Sequence, residues 1–90
     1  MAFGKRLREL RKKAGMTLDV LSVKAKMSKG YLSGIENEKS NPPVDRYIRK
    51  LARILEHDEI EFLKIAYYDK LPAEIREICR DVLLPKPHAQ

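Results

Sequence analysis

Apolar residues recur along this chain at intervals of three and four, and no sustained stretch alternates at two. Phe3, Leu7, Leu10 and Ala14 form one stripe, followed by Gly15, a residue type that ends helices. Leu18, Leu21, Ser22 and Ala25 form the next, with Thr17 as its N-cap. Ser28 caps a third segment whose inward pair is Leu32 and Ile35. Beyond Asn41-Pro42-Pro43, Pro43 is expected in the first turn of a helix carrying Val44, Tyr47, Ile48, Leu51, Ala52 and Leu55. Asp58 and Glu61 have capping-box spacing ahead of Leu63, Ala66 and Tyr67. A last helix is expected from about Pro72, with Ile75, Ile78, Cys79, Val82 and Leu83 on its stripe. The pattern predicts six helices and no sheet.

Composition narrows the picture. Ninety residues suit one small domain. No apolar run approaches the roughly 18 to 20 residues that would span a bilayer, so no membrane partner is expected. Met1 to Leu10 carries charges where a signal peptide needs an apolar stretch, which predicts a cytoplasmic protein. A lone Cys79 forms no internal disulfide, and His57 and His88 add too few ligands for a zinc cluster; no metal or cofactor is expected. His57 falls in a turn, Cys79 reads as a small buried thiol, and no serine lies in a nucleophile motif. An enzyme is therefore not expected. The net charge of +6 is unevenly placed. Residues 1–50 hold 13 Lys/Arg and 5 Asp/Glu, a balance of +8, whereas residues 51–90 hold 6 and 8, a balance of −2. A basic first half suggests a polyanion there and a different task for the second half.

The stretch 17–36 carries the functional signal. A helix of two turns, a turn of about three residues and a second short helix capped by Ser28 make helix-turn-helix spacing. In that motif the second helix lies in the DNA major groove while the first crosses the backbone. Plain helical bundles contain similar hairpins, so the residues themselves must add to the argument. The run Phe3-Gly-Lys-Arg-Leu-Arg-Glu-Leu-Arg-Lys-Lys-Ala-Gly-Met-Thr17 resembles the first helix and turn of the phage-repressor and Cro-like (XRE-type) DNA-binding domains. Lys24-Ala25, Ser28, Tyr31-Leu32-Ser33, Ile35-Glu36 and Asn41-Pro42 match that family's central pattern in one register, and Leu51-Ala52 with Leu55 match its fourth helix. The resemblance covers residues 3–67. It implies an all-α fold: a compact five-helix repressor-like helix-turn-helix domain plus a C-terminal sixth helix.

The resemblance also implies site residues. Ser28, Lys29, Gly30, Ser33 and Gly34 fall where the family reads bases, and Asn37 where it touches the backbone. Ser28 is equally well explained as a helix cap alone. Gly30 and Gly34 leave either a bare stripe for close approach of DNA or a recognition helix with few base contacts. Charged or polar donors near the duplex make Arg6, Lys13, Thr17, Lys24, Lys26, Tyr31, Asn37, Lys39 and Arg46 candidate phosphate contacts. Arg11 and Glu36 are implied as a partly buried structural ion pair. Three features depart from the family pattern. Leu18 replaces a glutamine, Lys26 replaces a glycine at a left-handed turn, and Val20 and Val23 lie where the second helix is polar. The valines are expected to be surface residues.

The expected organisation is a DNA-binding domain over 1–69, with its helix-turn-helix at 17–36. A C-terminal helix at 70–84 would serve dimerisation or packing, and a flexible tail would follow at 85–90. The expected function is sequence-specific binding of double-stranded DNA by a homodimeric transcriptional regulator, a repressor, on half-sites roughly 34 Å apart. Ile75, Ile78, Cys79, Val82 and Leu83 are the expected dimer interface. The competing expectation is a protein-interaction or antitoxin-like module that takes a protein partner through the C-terminal helices.

Overall fold

A computed structural model describes residues 2–84. The described residues form six helices and no strand: α1 (Ala2–Lys13), α2 (Leu18–Ala25), α3 (Lys29–Glu36), α4 (Asp45–Ile54), α5 (Glu59–Lys70) and α6 (Ala73–Leu83). The tail expected at 85–90 lies outside them. Side-chain oxygens begin three of the helices. Thr17 Oγ1 accepts from the Val20 N–H, Ser28 Oγ from Tyr31 and Asp58 Oδ1 from Glu61, each satisfying a donor that the first turn leaves unpaired. The first turn of α1 is held from a distance: Asp69, near the end of α5, accepts from the Ala2 N–H at 2.8 Å and the Phe3 N–H at 2.7 Å.

The first four helices end alike. Gly15, Lys26, Glu38 and Glu56 all take the left-handed conformation, with φ of 73°, 56°, 63° and 55°. The chain then turns back, so that the next amide reaches a carbonyl five residues earlier: Met16 to Arg11, Met27 to Ser22, Lys39 to Gly34 and His57 to Ala52. Three of the four do this with a Cβ, at about 1 to 2 kcal/mol each relative to glycine.

The core is built by five helices around Phe3, Leu7, Leu21, Leu32, Ile35, Ile48, Leu51, Phe62 and Ile65, all essentially inaccessible to water. α1 is the wedge, packed against α3 on one side and α5 on the other. On the α5 side the Phe3 and Phe62 rings meet with centroids 4.5 Å apart. On the α3 side Gly4 lets the two backbones touch, since a methyl there would overlap the Ile35 carbonyl.

The structure corrects several expectations. α4 begins at Asp45 with Val44 as its N-cap, so Pro43 sits before the helix and not in its first turn. Val44 is therefore exposed and off the inward stripe, and Pro43 is buried instead. Ala14 is exposed, because the helix has ended before it. Tyr67 also faces outward, where its hydroxyl donates to Asp45 Oδ2 at 2.7 Å and ties α5 to the start of α4. α5 buries Phe62 and Ile65 in addition to Leu63 and Ala66, having neighbours on two sides. α6 leans on α5 and buries no residue fully; Cys79 is half-buried.

Candidate nucleic-acid interface

The outer surface of the α2–α3 hairpin is assembled from residues that the core does not need. α3 turns Leu32, Ile35 and Glu36 inward, and leaves Lys29, Gly30, Tyr31 and Asn37 exposed, with Ser33 and Gly34 half-buried. Thr17 and Ser28 occupy the N-caps of α2 and α3, where hydroxyls and backbone N–H groups lie together at the positive ends of the helix dipoles. Lys24 and Lys26 are exposed at the end of α2 and in the turn, and Lys39 is exposed just beyond α3. Arg46 lies on the first turn of α4, its guanidinium 5.1 Å from the centre of the Tyr47 ring. Val20 and Val23 are exposed on α2, as surface residues.

The two α3 glycines differ. A methyl at Gly30 would meet nothing within 4 Å, so this stretch of helix is open to an approaching surface. At Gly34 a Cβ would lie 2.9 Å from Ser40 Oγ. Gly34 is bare because the chain following α3 folds back over it, with the Ser40 N–H donating to the Gly34 carbonyl. Asn37 is also engaged locally, its amide nitrogen donating to the Ser33 carbonyl at 2.9 Å and to Ser33 Oγ at 3.2 Å.

Arg11 and Glu36 meet behind this surface. Arg11 Nε donates to Glu36 Oε2 at 2.7 Å and Nη2 to Oε1 at 3.0 Å, while Nη1 donates to the Met16 carbonyl at 2.8 Å. The Arg11 side chain is 10% exposed and that of Glu36 4%. The forked, buried geometry pins the end of α3 to α1 and to the turn entering α2. The Glu36 hydrogen bond holds the guanidinium more firmly protonated than in water.

One contact was not signalled by the sequence pattern. Asp19, in the first turn of α2, receives Lys29 Nζ at 3.2 Å, so the first-turn lysine of α3 is held toward α2. The only trace in the sequence is a carboxylate ten residues before the lysine, which no motif singles out.

Arg6 and Lys13 stand apart from the other cations. Gly4 and Arg11 mark the side of α1 that meets α3, and at about 100° per residue Arg6 and Lys13 lie about 140 to 180° around the helix from them. Both border a cleft between α1 and the α4–α5 turn. At the far end of the molecule, α6 exposes Ile78 at 77% and Val82 at 69%, with Ile75 at 40%; Leu83 is half-buried.

Comparison with known proteins agrees with this architecture. A helix-turn-helix domain family model matches residues 2–62. An uncharacterized HTH-type transcriptional regulator of Bacillus subtilis, RghRB, is 37% identical over 76 residues, or 83% of this chain, which spans 55% of that protein's length. The crystal structure of SinR, described as the master regulator for biofilm formation, in complex with DNA superposes with a TM-score of 0.63 at 31% identity, over 68% of this chain and 97% of that one. A complex of SinR with the SinI protein gives a TM-score of 0.65 at 30% identity, over 90% of this chain and 77% of that one. The hairpin, the buried ion pair and these matches place the chain in one family: it belongs to the helix-turn-helix domain proteins of the phage-repressor and Cro-like (XRE) type.

Proposed function

We propose that this protein binds double-stranded DNA sequence-specifically and regulates transcription, inserting α3 into the major groove. The observation that carries the reading is the exposed first turn of α3: Ser28, Lys29 and an open Gly30 sit on an exposed hairpin edge bordered by lysines. Lys29 donates to guanine O6 and N7, with Ser28, Gly30 and Ser33 beside it. Gly34 contributes through the close fit of the following loop more than through its own bareness. Thr17, Lys24, Lys26, Tyr31, Asn37, Lys39 and Arg46 hold phosphates, and Arg6 and Lys13, on the other side of α1, do not. SinR, solved in complex with DNA, supports DNA binding by its relative here.

Residues 1–69 form the DNA-binding unit in this reading, and α6 pairs two copies through Ile75, Ile78, Cys79, Val82 and Leu83. The dimer occupies two half-sites about one helical turn apart and represses by blocking the promoter, in the cytoplasm of a bacterial host. The exposure of Ile78 and Val82 also favours a second reading, in which this face takes a different protein; SinR, a relative, has been solved in complex with the SinI protein.

The test is selection of bound sequences from a random duplex library at moderate salt, comparing wild type with Lys29→Ala and Lys24→Ala. A palindromic motif that relaxes at defined positions with Lys29→Ala, but only weakens uniformly with Lys24→Ala, is the expected result. No motif from the wild type would overturn the DNA reading and move attention to the face around Ile78.

A further inference from the structure

A concavity that the DNA reading leaves unused lies between α1 and the α4–α5 turn. It encloses about 380 Å³, within the range of small-molecule sites. The buried Leu10 and Leu55, with Ile54, supply its apolar wall. Arg6 and Lys13 of α1, His57 and Glu56 supply its polar one.

Three features point to an anion. First, the Arg6 guanidinium is under-used: its Nη1 makes a long 3.4 Å contact to Glu9 and the side chain is 36% exposed, so its terminal nitrogens are open to an incoming anion at the mouth of the cleft. Second, Arg6 and Lys13 both act on the same imidazole. Burial, then Arg6, push the His57 pKa below the ordinary histidine value, Lys13 adds to the effect, and Glu61 and Asp58 of α5 oppose it. Third, the fixed charges lining the cleft, Arg6 and Lys13 against Glu56, sum to +1. That balance matches one carboxylate and disfavours a dianion beside Glu56.

We propose that this cleft binds a small monoanion with an apolar body, an aliphatic or aromatic carboxylate, its head on Arg6 and Lys13 and its body against Leu10, Ile54 and Leu55. The site does not depend on the DNA reading. It lies on the opposite side of α1 from α3, so ligand and duplex bind together.

Methyl-labelled protein is titrated with octanoate, 1-octanol and inorganic phosphate, following the Leu10, Ile54 and Leu55 methyls and the His57 ring by NMR. Octanoate is expected to shift these methyls with a Kd in the millimolar range and to raise the His57 titration midpoint. Arg6→Gln should weaken it about tenfold, whereas Lys70→Gln, an exposed lysine on α5, should not. Unchanged Leu32 and Ile35 methyls in Arg6→Gln establish that its fold is intact. Equal binding of octanol would overturn the proposal by showing an apolar groove indifferent to charge. Tighter binding of phosphate without methyl shifts would overturn it as a cationic surface only, and so would silence from octanoate at about 10 mM. Displacement of octanoate by duplex DNA would return Arg6 and Lys13 to the DNA face and also refute it.

Discussion

Replacing one member of the Arg11–Glu36 pair should be far more damaging than replacing both. The two charges are joined by parallel bonds of 2.7 and 3.0 Å, and their side chains are only 10% and 4% exposed. Breaking a pair this deep leaves an uncompensated charge, which typically costs about 3 to 5 kcal/mol. Glu36→Gln belongs at the low end, about 3 kcal/mol, because the amide oxygen still accepts one bond and the Met16 carbonyl takes another. Arg11→Met belongs at the high end, about 4 to 5 kcal/mol, since the less exposed carboxylate loses both its donors. The double variant Arg11→Met/Glu36→Leu removes both desolvation penalties and should lie within about 2 kcal/mol of wild type. A chain of this size has roughly 5 to 13 kcal/mol in total, so a single replacement takes about a quarter of it or more. Urea unfolding followed by far-UV circular dichroism at 25 °C measures all four corners of the cycle. Singles that lose less than about 1 kcal/mol, or a double equal to the sum of the singles, would refute the reasoning. Loss of DNA binding in either single should then track the unfolded fraction.

Other expectations follow from the backbone and from His57. Gly4→Ala forces a methyl into the Ile35 carbonyl and should destabilise by about 3 kcal/mol or more, whereas Gly30→Ala meets open space and should stabilise by about 0.5 to 1 kcal/mol; thermal melts separate them. Lys26→Gly and Glu56→Gly each relieve a left-handed Cβ at some entropic loss, for a net gain of about 0.5 to 1 kcal/mol, or several degrees in Tm. A decrease in Tm for both would contradict the conformational argument. The lowered His57 pKa means that the unfolded chain binds a proton the folded one resists, so this residue's contribution to stability should fall as pH drops below about 6.5. His57→Gln should flatten that part of the pH profile, and an unchanged slope between pH 7.5 and 5.5 would count against it.

The helices were legible because each carries an apolar stripe and most begin with a side-chain cap, both local signals. What escaped was decided by neighbours. α5 is covered on two sides, so a single stripe through Leu63 and Ala66 misses Phe62 and Ile65. Val44 belongs to the apolar pattern by spacing, but it is the extended N-cap and the helix starts after it. Charge alone gave no means of separating Arg6 and Lys13 from the other lysines and arginines. Only the position of α1 between α3 and α5 shows that those two face away from the hairpin. The reason for Gly34 lay six residues ahead, in Ser40. By contrast, the register that pairs Arg11 with Glu36 rests on a pattern spanning both, and the two lie 2.7 Å apart.

The hold of Asp69 on the first turn of α1 has a consequence for synthesis. The first turn of α1 is closed by a residue 66 to 67 positions later, after every other core helix has been made. A nascent chain that has exposed only the hairpin has a wedge with one of its two walls missing, and α1 must wait, half-docked, with Phe3 uncovered. Completion of the domain on the ribosome is thus set by the emergence of the end of α5. Nascent chains stalled with Asp69 still inside the exit tunnel should remain protease-sensitive at α1, and those stalled beyond it should not.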